Sequence, residues 1–253
     1  MTFRFTSLEN PSGWPSWPTY GLAEQAAVQR VIASNQLFAA EEVKQFEDLF
    51  KAFLGIQYAV GVGNATQGLH LALAALDIGV GDEVIVTPYS WISSSSCVLM
   101  QNATAVYCDI ESDSLGLDPD AVAEKITPRT KAIIAVHPFG YPIRIQELAD
   151  LAARHEISLI EDGSHALGAT VHEKPVGTFG RISVFSLQQR KALSVGDGGM
   201  VCTHDERIAE KISRLRSFGD DELSYNYRMT EFSAAIGGVR IGRLREENAL
   251  RLQ

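Results

Sequence analysis

The chain has 253 residues, 45% hydrophobic and 21% charged, enough apolar material for one sizeable core. Its 31 acidic against 22 basic residues, a formal charge of −9, argue against nucleic acid or an anionic membrane as the main partner and leave small molecules and other protein chains. Cys97, Cys108 and Cys202 have neither zinc-type spacing nor a disulfide framework, which fits small buried residues in a reducing cytoplasm.

Met1-Thr-Phe-Arg-Phe is followed by polar residues and Pro11 instead of a signal-peptide apolar run, and stretches such as Leu71 to Leu76 are too short to span a bilayer. A cytoplasmic protein is expected. Residues 1–20 carry Pro11, Pro15 and Pro18 among Trp14, Trp17 and Tyr20, too broken by proline for a helix and too aromatic for a free linker, and are read as an arm packed on a domain that fills residues 21–253. Helical spacing of apolar residues predicts helices over Leu22 to Ser34 and Glu41 to Leu54. From Tyr58 short β-branched runs alternate with helical stretches. The strands begin at Tyr58, Glu83, Ala105, Lys131 and Ile157; Gln67 to Leu76, Ile92 to Met100 and Ile145 to His155 are the helices between them. Strands at Ser183 to Ser186 and Met200 to Thr203 follow, with helices at Asp205 to Arg216 and Thr230 to Leu250. Strands apolar on both faces predict an α/β fold with a mainly parallel sheet between helices.

Three motifs carry the chemistry. Gly61-Val-Gly-Asn-Ala-Thr-Gln-Gly-Leu joins a strand to a helix, where free backbone N–H groups and the helix dipole can hold a phosphate; a ligand-free turn is equally compatible. A dinucleotide fingerprint is disfavoured, because Thr66 stands where its third glycine belongs. Ile160-Glu-Asp-Gly-Ser-His-Ala brings Asp162 and His165 to a strand's carboxyl end, where ligands bind in open α/β sheets, though a strand-end Asp can equally be a helix cap. Gly163-Ser-His-Ala-Leu-Gly lacks the hydrolase Gly-x-Ser-x-Gly elbow, and no His/Cys/Asp group has metal spacing. Phe185-Ser-Leu-Gln-Gln-Arg-Lys sets Lys191 between a strand and the turn Gly196-Asp-Gly-Gly. Most lysines are solvated surface charges, but a phosphate cradle, an aromatic (Trp91), a strand-end acid and then a lysine near Ser186, in that order, match what pyridoxal 5′-phosphate requires.

With Gly81-Asp-Glu-Val-Ile-Val, Ile126-Thr-Pro-Arg-Thr-Lys-Ala-Ile-Ile, Ser224-Tyr-Asn-Tyr-Arg-Met and Glu231-Phe-Ser-Ala-Ala, these motifs make the chain resemble the DegT/StrS-type sugar aminotransferases throughout most of its length. The resemblance implies the large domain of a fold-type I transferase. It implies that Lys191 holds the cofactor as a Schiff base and shuttles protons, and that Asp162 pairs with the pyridine nitrogen. Trp91 would stack on the ring, Ala65 and Thr66 would hold the phosphate with Ser186, and His165 would lie near the ring oxygen. Asn226 would reach the phosphate of a neighbouring subunit, giving a homodimer with shared sites. Transfer of an amino group from glutamate or glutamine to a keto-sugar or keto-cyclitol, through pyridoxamine phosphate, is the implied activity. Ser-Leu-Gln-Gln-Arg-Lys and Trp-Pro-Ser-Trp-Pro resemble the keto-cyclitol version more than the nucleotide-sugar one. Full-length relatives continue into a smaller C-terminal domain, which is expected to be missing here, so that the chain ends in or after the connecting helix. Two alternatives are a regulatory or assembly protein retaining the fold and a pyridoxamine-phosphate sugar dehydratase; the latter's relatives carry His where Lys191 stands.

Overall fold

A computed structural model describes residues 18–38, 40–219 and 223–251. The proposed arm therefore lies outside the described residues except for its last three. Of these, Tyr20 Oη is 2.9 Å from Ser194 Oγ, and Thr19 accepts from the guanidinium of the buried Arg240 at 2.8 Å.

Both predicted N-terminal helices form, α1 (Leu22–Ser34) and α2 (Glu41–Leu54). Val43, Phe46, Phe50 and Leu54 recur at helical spacing and are buried together. Gly55 ends α2 at φ 75°, a left-handed conformation in which its N–H bonds Lys51 O. The alternating region then gives β1 (Tyr58–Val62), α3 (Ala65–Ala75), β2 (Glu83–Val86), α4 (Ser93–Met100), β3 (Thr104–Tyr107), α5 (Pro119–Lys125), β4 (Thr130–Val136), α6 (Ile145–Arg154) and β5 (Ser158–Asp162). A small hairpin, β6 (Thr170–Val171) with β7 (Lys174–Pro175), precedes β8 (Ile182–Ser186) and β9 (Gly199–Thr203). Helices α7 (Glu206–Leu215), α8 (Glu231–Ile241) and α9 (Leu244–Arg251) follow.

The seven-stranded sheet has the order β1-β9-β8-β5-β4-β2-β3. Only β9 is reversed, pairing antiparallel with β1 and β8, while β8, β5, β4, β2 and β3 are mutually parallel. The carboxyl ends of β1, β2, β4, β5 and β8 therefore share one edge with the start of β9. Helices cover both faces. Val84, Val86, Ile134, Ile160, Val184 and Val201 face α3, α4 and α7, whereas Ile85, Ile133, Leu159, Phe185 and Met200 face α2, α5, α6 and α8. This two-residue alternation decides the chemistry at the end of β5: Asp162 continues the face of Ile160 toward α4, and Glu161 continues that of Leu159.

Two parts differ from expectation. The helix predicted from Thr230 to Leu250 is broken at Gly242–Arg243, where Arg243 N bonds Arg240 O three residues back. Helix α5 and the β6–β7 hairpin were not anticipated.

Candidate active site

The cradle forms where β1 turns into α3. Asn64 Oδ1 accepts from Gln67 N at 3.0 Å and so caps the helix, whose first turn contains no acidic residue, unlike the first turns of α2 and α7. Ala65 and Thr66 occupy that turn, and Thr66 Oγ1 lies 2.6 Å from Ser93 Oγ at the start of α4. Ser186, the last residue of β8, pairs with Gly199 of β9. A Cβ on Gly199 would lie 2.7 Å from Asn64 C and 2.9 Å from Ala65 N. Only glycine lets β9 come this close, and the contact sets the Ser186 strand end beside the α3 N-terminus. Ser186 Oγ also accepts from Gln188 N at 3.4 Å.

Asp162 is buried at the end of β5, with its carboxylate under α4. Ser164 N donates to Oδ1 at 3.1 Å, and Ser94 Oγ donates to Oδ2 over a long 3.5 Å. Burial, and secondarily the Asp162 charge, push the Cys97 thiol up to about 12, so it remains protonated and inert beside the carboxylate. Lys191 is partly buried in the turn after β8, its N–H bonded to Gln188 O at 2.8 Å. Desolvation lowers its pKa and the charge of Asp162 partly restores it. His165 stands at the open rim. Its pKa is lowered by desolvation first and by the Lys191 charge second, against the pull of Asp162. Lys191, Asp162 and His165 thus act on one another electrostatically at one sheet edge.

Trp91 lies on the same edge, in the loop from β2 to α4, with 77% of its surface exposed. Asn226 lies between α7 and α8. Its segment crosses beside the end of β1, where Gly63 N donates to Tyr227 O at 2.8 Å and Arg228 bridges Val62. Tyr225 and Tyr227 stack on each other at 4.9 Å, and both rings lie tilted against buried His70 at 4.8 and 5.8 Å. The residue between them, Asn226, is exposed on the outer side, with Oδ1 accepting from Arg228 at 2.7 Å. Ser93, Ser94 and Phe139 adjoin the site without having been singled out from the sequence. The run Ser93-Ser-Ser-Ser after Trp91 was the available signal for the first two. A groove of ≈ 650 Å³ between α2 and α7 holds charges of both signs, Lys44, Glu47, Glu206 and Arg214 among them, and runs along Tyr58 to Val60, the first part of β1, whereas the cradle begins at that strand's other end. No described helix is long and apolar enough to cross a membrane.

The family model described as DegT/DnrJ/EryC1/StrS aminotransferase family matches residues 18–253. GDP-perosamine synthase of Vibrio cholerae is 40% identical over 210 residues, covering 80% of this chain and 57% of that protein. L-glutamine:2-deoxy-scyllo-inosose aminotransferase of Streptomyces paromomycinus is 35% identical over 263 residues, covering 94% and 62%. The chain thus spans about three fifths of the length of these curated relatives. Among solved structures, the aminotransferase from Psychrobacter cryohalolentis superposes with a TM-score of 0.89 at 35% identity, covering 92% of this chain and 64% of that one. The 3-amino-5-hydroxybenzoic acid synthase structure gives 0.89 at 34%, covering 94% and 65%. A match over nearly all described residues, on a fold-type I sheet with these motifs at its carboxyl edge, makes the chain a member of the DegT/DnrJ/EryC1/StrS aminotransferase family.

Proposed function

We propose that the chain forms the pyridoxal 5′-phosphate-binding domain of a cytoplasmic, homodimeric aminotransferase that moves an amino group from glutamate or glutamine to a ketone on a sugar or cyclitol. The observation that carries this reading is the pairing of a partly buried Lys191, its pKa lowered, with buried Asp162 beside a helix N-terminus free of acidic side chains.

The residues suit the cofactor. An anion is favoured at the capped start of α3, where Ala65 N–H, Thr66 Oγ1 and Ser186 Oγ are available to a phosphate. Asp162 has acceptor capacity beyond its bonds from Ser164 and Ser94, and a protonated ring nitrogen is a donor it can satisfy. Trp91 offers an exposed aromatic face and His165 a ring nitrogen at the rim. When bound, pyridoxal phosphate supplies an electron sink for a carbanion. The chain's part is to keep that sink charged through Asp162 and to move a proton through Lys191 Nζ. Burial favours the neutral amine, the form able to attack a carbonyl and to accept a proton near neutrality. Asn226, turned outward, is proposed to serve the partner subunit's phosphate.

One of the two curated relatives is named for GDP-perosamine and the other for 2-deoxy-scyllo-inosose, and the Ser-Leu-Gln-Gln-Arg-Lys segment favours the cyclitol side. The test is the absorption spectrum of the cofactor-loaded protein on adding glutamate or glutamine. Conversion of the aldehyde form to the amine form is expected. A loaded protein that leaves both donors unchanged contradicts the proposed donor class.

A further inference from the structure

Behind the site lies a polar pair that catalysis as described does not use. His137 and Glu161 are both fully buried, with His137 Nε2 3.4 Å from Glu161 Oε2. Glu161 is already held, since Gly177 N donates to Oε2 at 2.8 Å and Phe179 N and Gly180 N donate to Oε1 at 2.7 and 2.6 Å. The 3.4 Å approach is off-line for a hydrogen bond, so the two side chains lie in contact without a directed bond. Removing either partner from such an interior leaves an uncompensated buried polar group.

His137 also closes a loop. Its backbone N–H bonds Asp162 O at 3.1 Å, tying β4 to the catalytic end of β5. Its Nδ1 accepts from Ile143 N at 3.4 Å, which pins both ends of the segment 137–143 on one imidazole. Between these anchors the chain takes two successive left-handed residues, Phe139 at φ 54° and Gly140 at φ 85°. Phe139 has a Cβ that disfavours this region, so the conformation persists because the surroundings impose it. The result presses the loop onto His165 at two points. Phe139 N–H donates to His165 Nδ1 at 3.2 Å, and a Cβ on Gly140 would come within 2.7 Å of His165 O. The Phe139 ring also stacks on the imidazole at 6.4 Å between centroids.

We propose that His137 and Glu161 are positioning residues that lock the 137–143 loop so that the backbone N–H of Phe139 holds His165 with its single proton on Nε2. A donor at Nδ1 excludes a proton there, and a neutral imidazole then carries it on the other nitrogen. His165 consequently faces the site as a hydrogen-bond donor, suited to an anionic oxygen such as the ring oxygen of the cofactor. That last use rests on the function proposed above; the lock itself does not.

The test is nitrogen NMR of the side chains in ¹⁵N-histidine-labelled protein without cofactor, His165 being assigned among the six histidines by its loss in His165→Gln. Expected in the wild type is a fixed tautomer, unprotonated at Nδ1 and protonated at Nε2. In His137→Gln and in Gly140→Ala the His165 signals should shift to the averaged values of an unlocked ring. Phe139→Ala keeps the N–H and should keep the tautomer. An averaged or Nδ1-protonated His165 in the wild type overturns the proposal. So does a lock that survives in Gly140→Ala, which changes the loop without touching the buried pair, and in His137→Gln alike. Uptake of pyridoxal phosphate is followed separately by absorbance. A locked His165 in a protein that takes up none upholds the clamp and removes the cofactor reading.

Discussion

At the scale of single residues, the site depends on how the Asp162 carboxylate and burial act on Lys191. Burial lowers the Lys191 pKa from the ordinary 10.5 and the carboxylate raises it again. Replacing Asp162 by Asn removes the raising influence and leaves the lowering one, so the Lys191 pKa should fall further. Its neutral amine should then persist to lower pH, which the pH dependence of reductive methylation at Lys191 measures. The same substitution should slow the half-reaction by roughly 10²- to 10³-fold, the usual effect of losing one preorganised electrostatic partner. An unchanged methylation profile with normal rates would remove Asp162 from the mechanism. The placement of Asp162 at a strand end and of Lys191 in a turn was legible because a buried apolar run and a glycine-rich turn mark those positions locally. Ser94 and Phe139 were not, because their partners Asp162 and His165 are distant in sequence and meet them only when the sheet is assembled.

At the scale of elements, the cradle stands on the fit of β9 against the start of α3. Gly199→Ala would set a Cβ against backbone atoms of Asn64 and Ala65, which cannot rotate away as a flexible side chain does. A destabilisation of about 1–3 kcal/mol is expected, the range for overpacking, together with weaker uptake of pyridoxal phosphate. Gly238→Ala in α8 is the control: the nearest atom, Leu49 Cδ1, is 3.7 Å away, and a helical alanine should be neutral or gain roughly 0.5–1 kcal/mol. Urea unfolding and cofactor titration of both variants check this, and equal behaviour of the two would contradict it. Most elements were legible because long apolar periods leave little choice between helix and strand. The hairpin was not: His172 and Glu173 hold φ 47° and 65°, positions where a turn usually announces itself with Asn or Gly. Helix α5 has only seven residues, too few for periodicity, though Asp118 and Pro119 are a readable cap and first position. The break between α8 and α9 was hidden because the apolar pattern runs through it, and the full burial of Arg240 just before it is a tertiary matter.

At the scale of the whole molecule, Asn226 is exposed between the stacked Tyr225 and Tyr227, and the proposed homodimer gives that exposure a use. Chains carrying Lys191→Ala and chains carrying Asn226→Ala should each bind cofactor poorly. Mixed dimers contain sites free of both lesions, in which binding should return; no recovery in verified mixed dimers would place Asn226 outside the shared site. The central claim, that this sheet edge holds pyridoxal phosphate through Lys191, is tested most directly by borohydride reduction of the loaded protein followed by peptide mapping. The cofactor should be fixed on the peptide containing Lys191, in one copy per chain. A folded protein labelled on another lysine, or on none, would contradict the account.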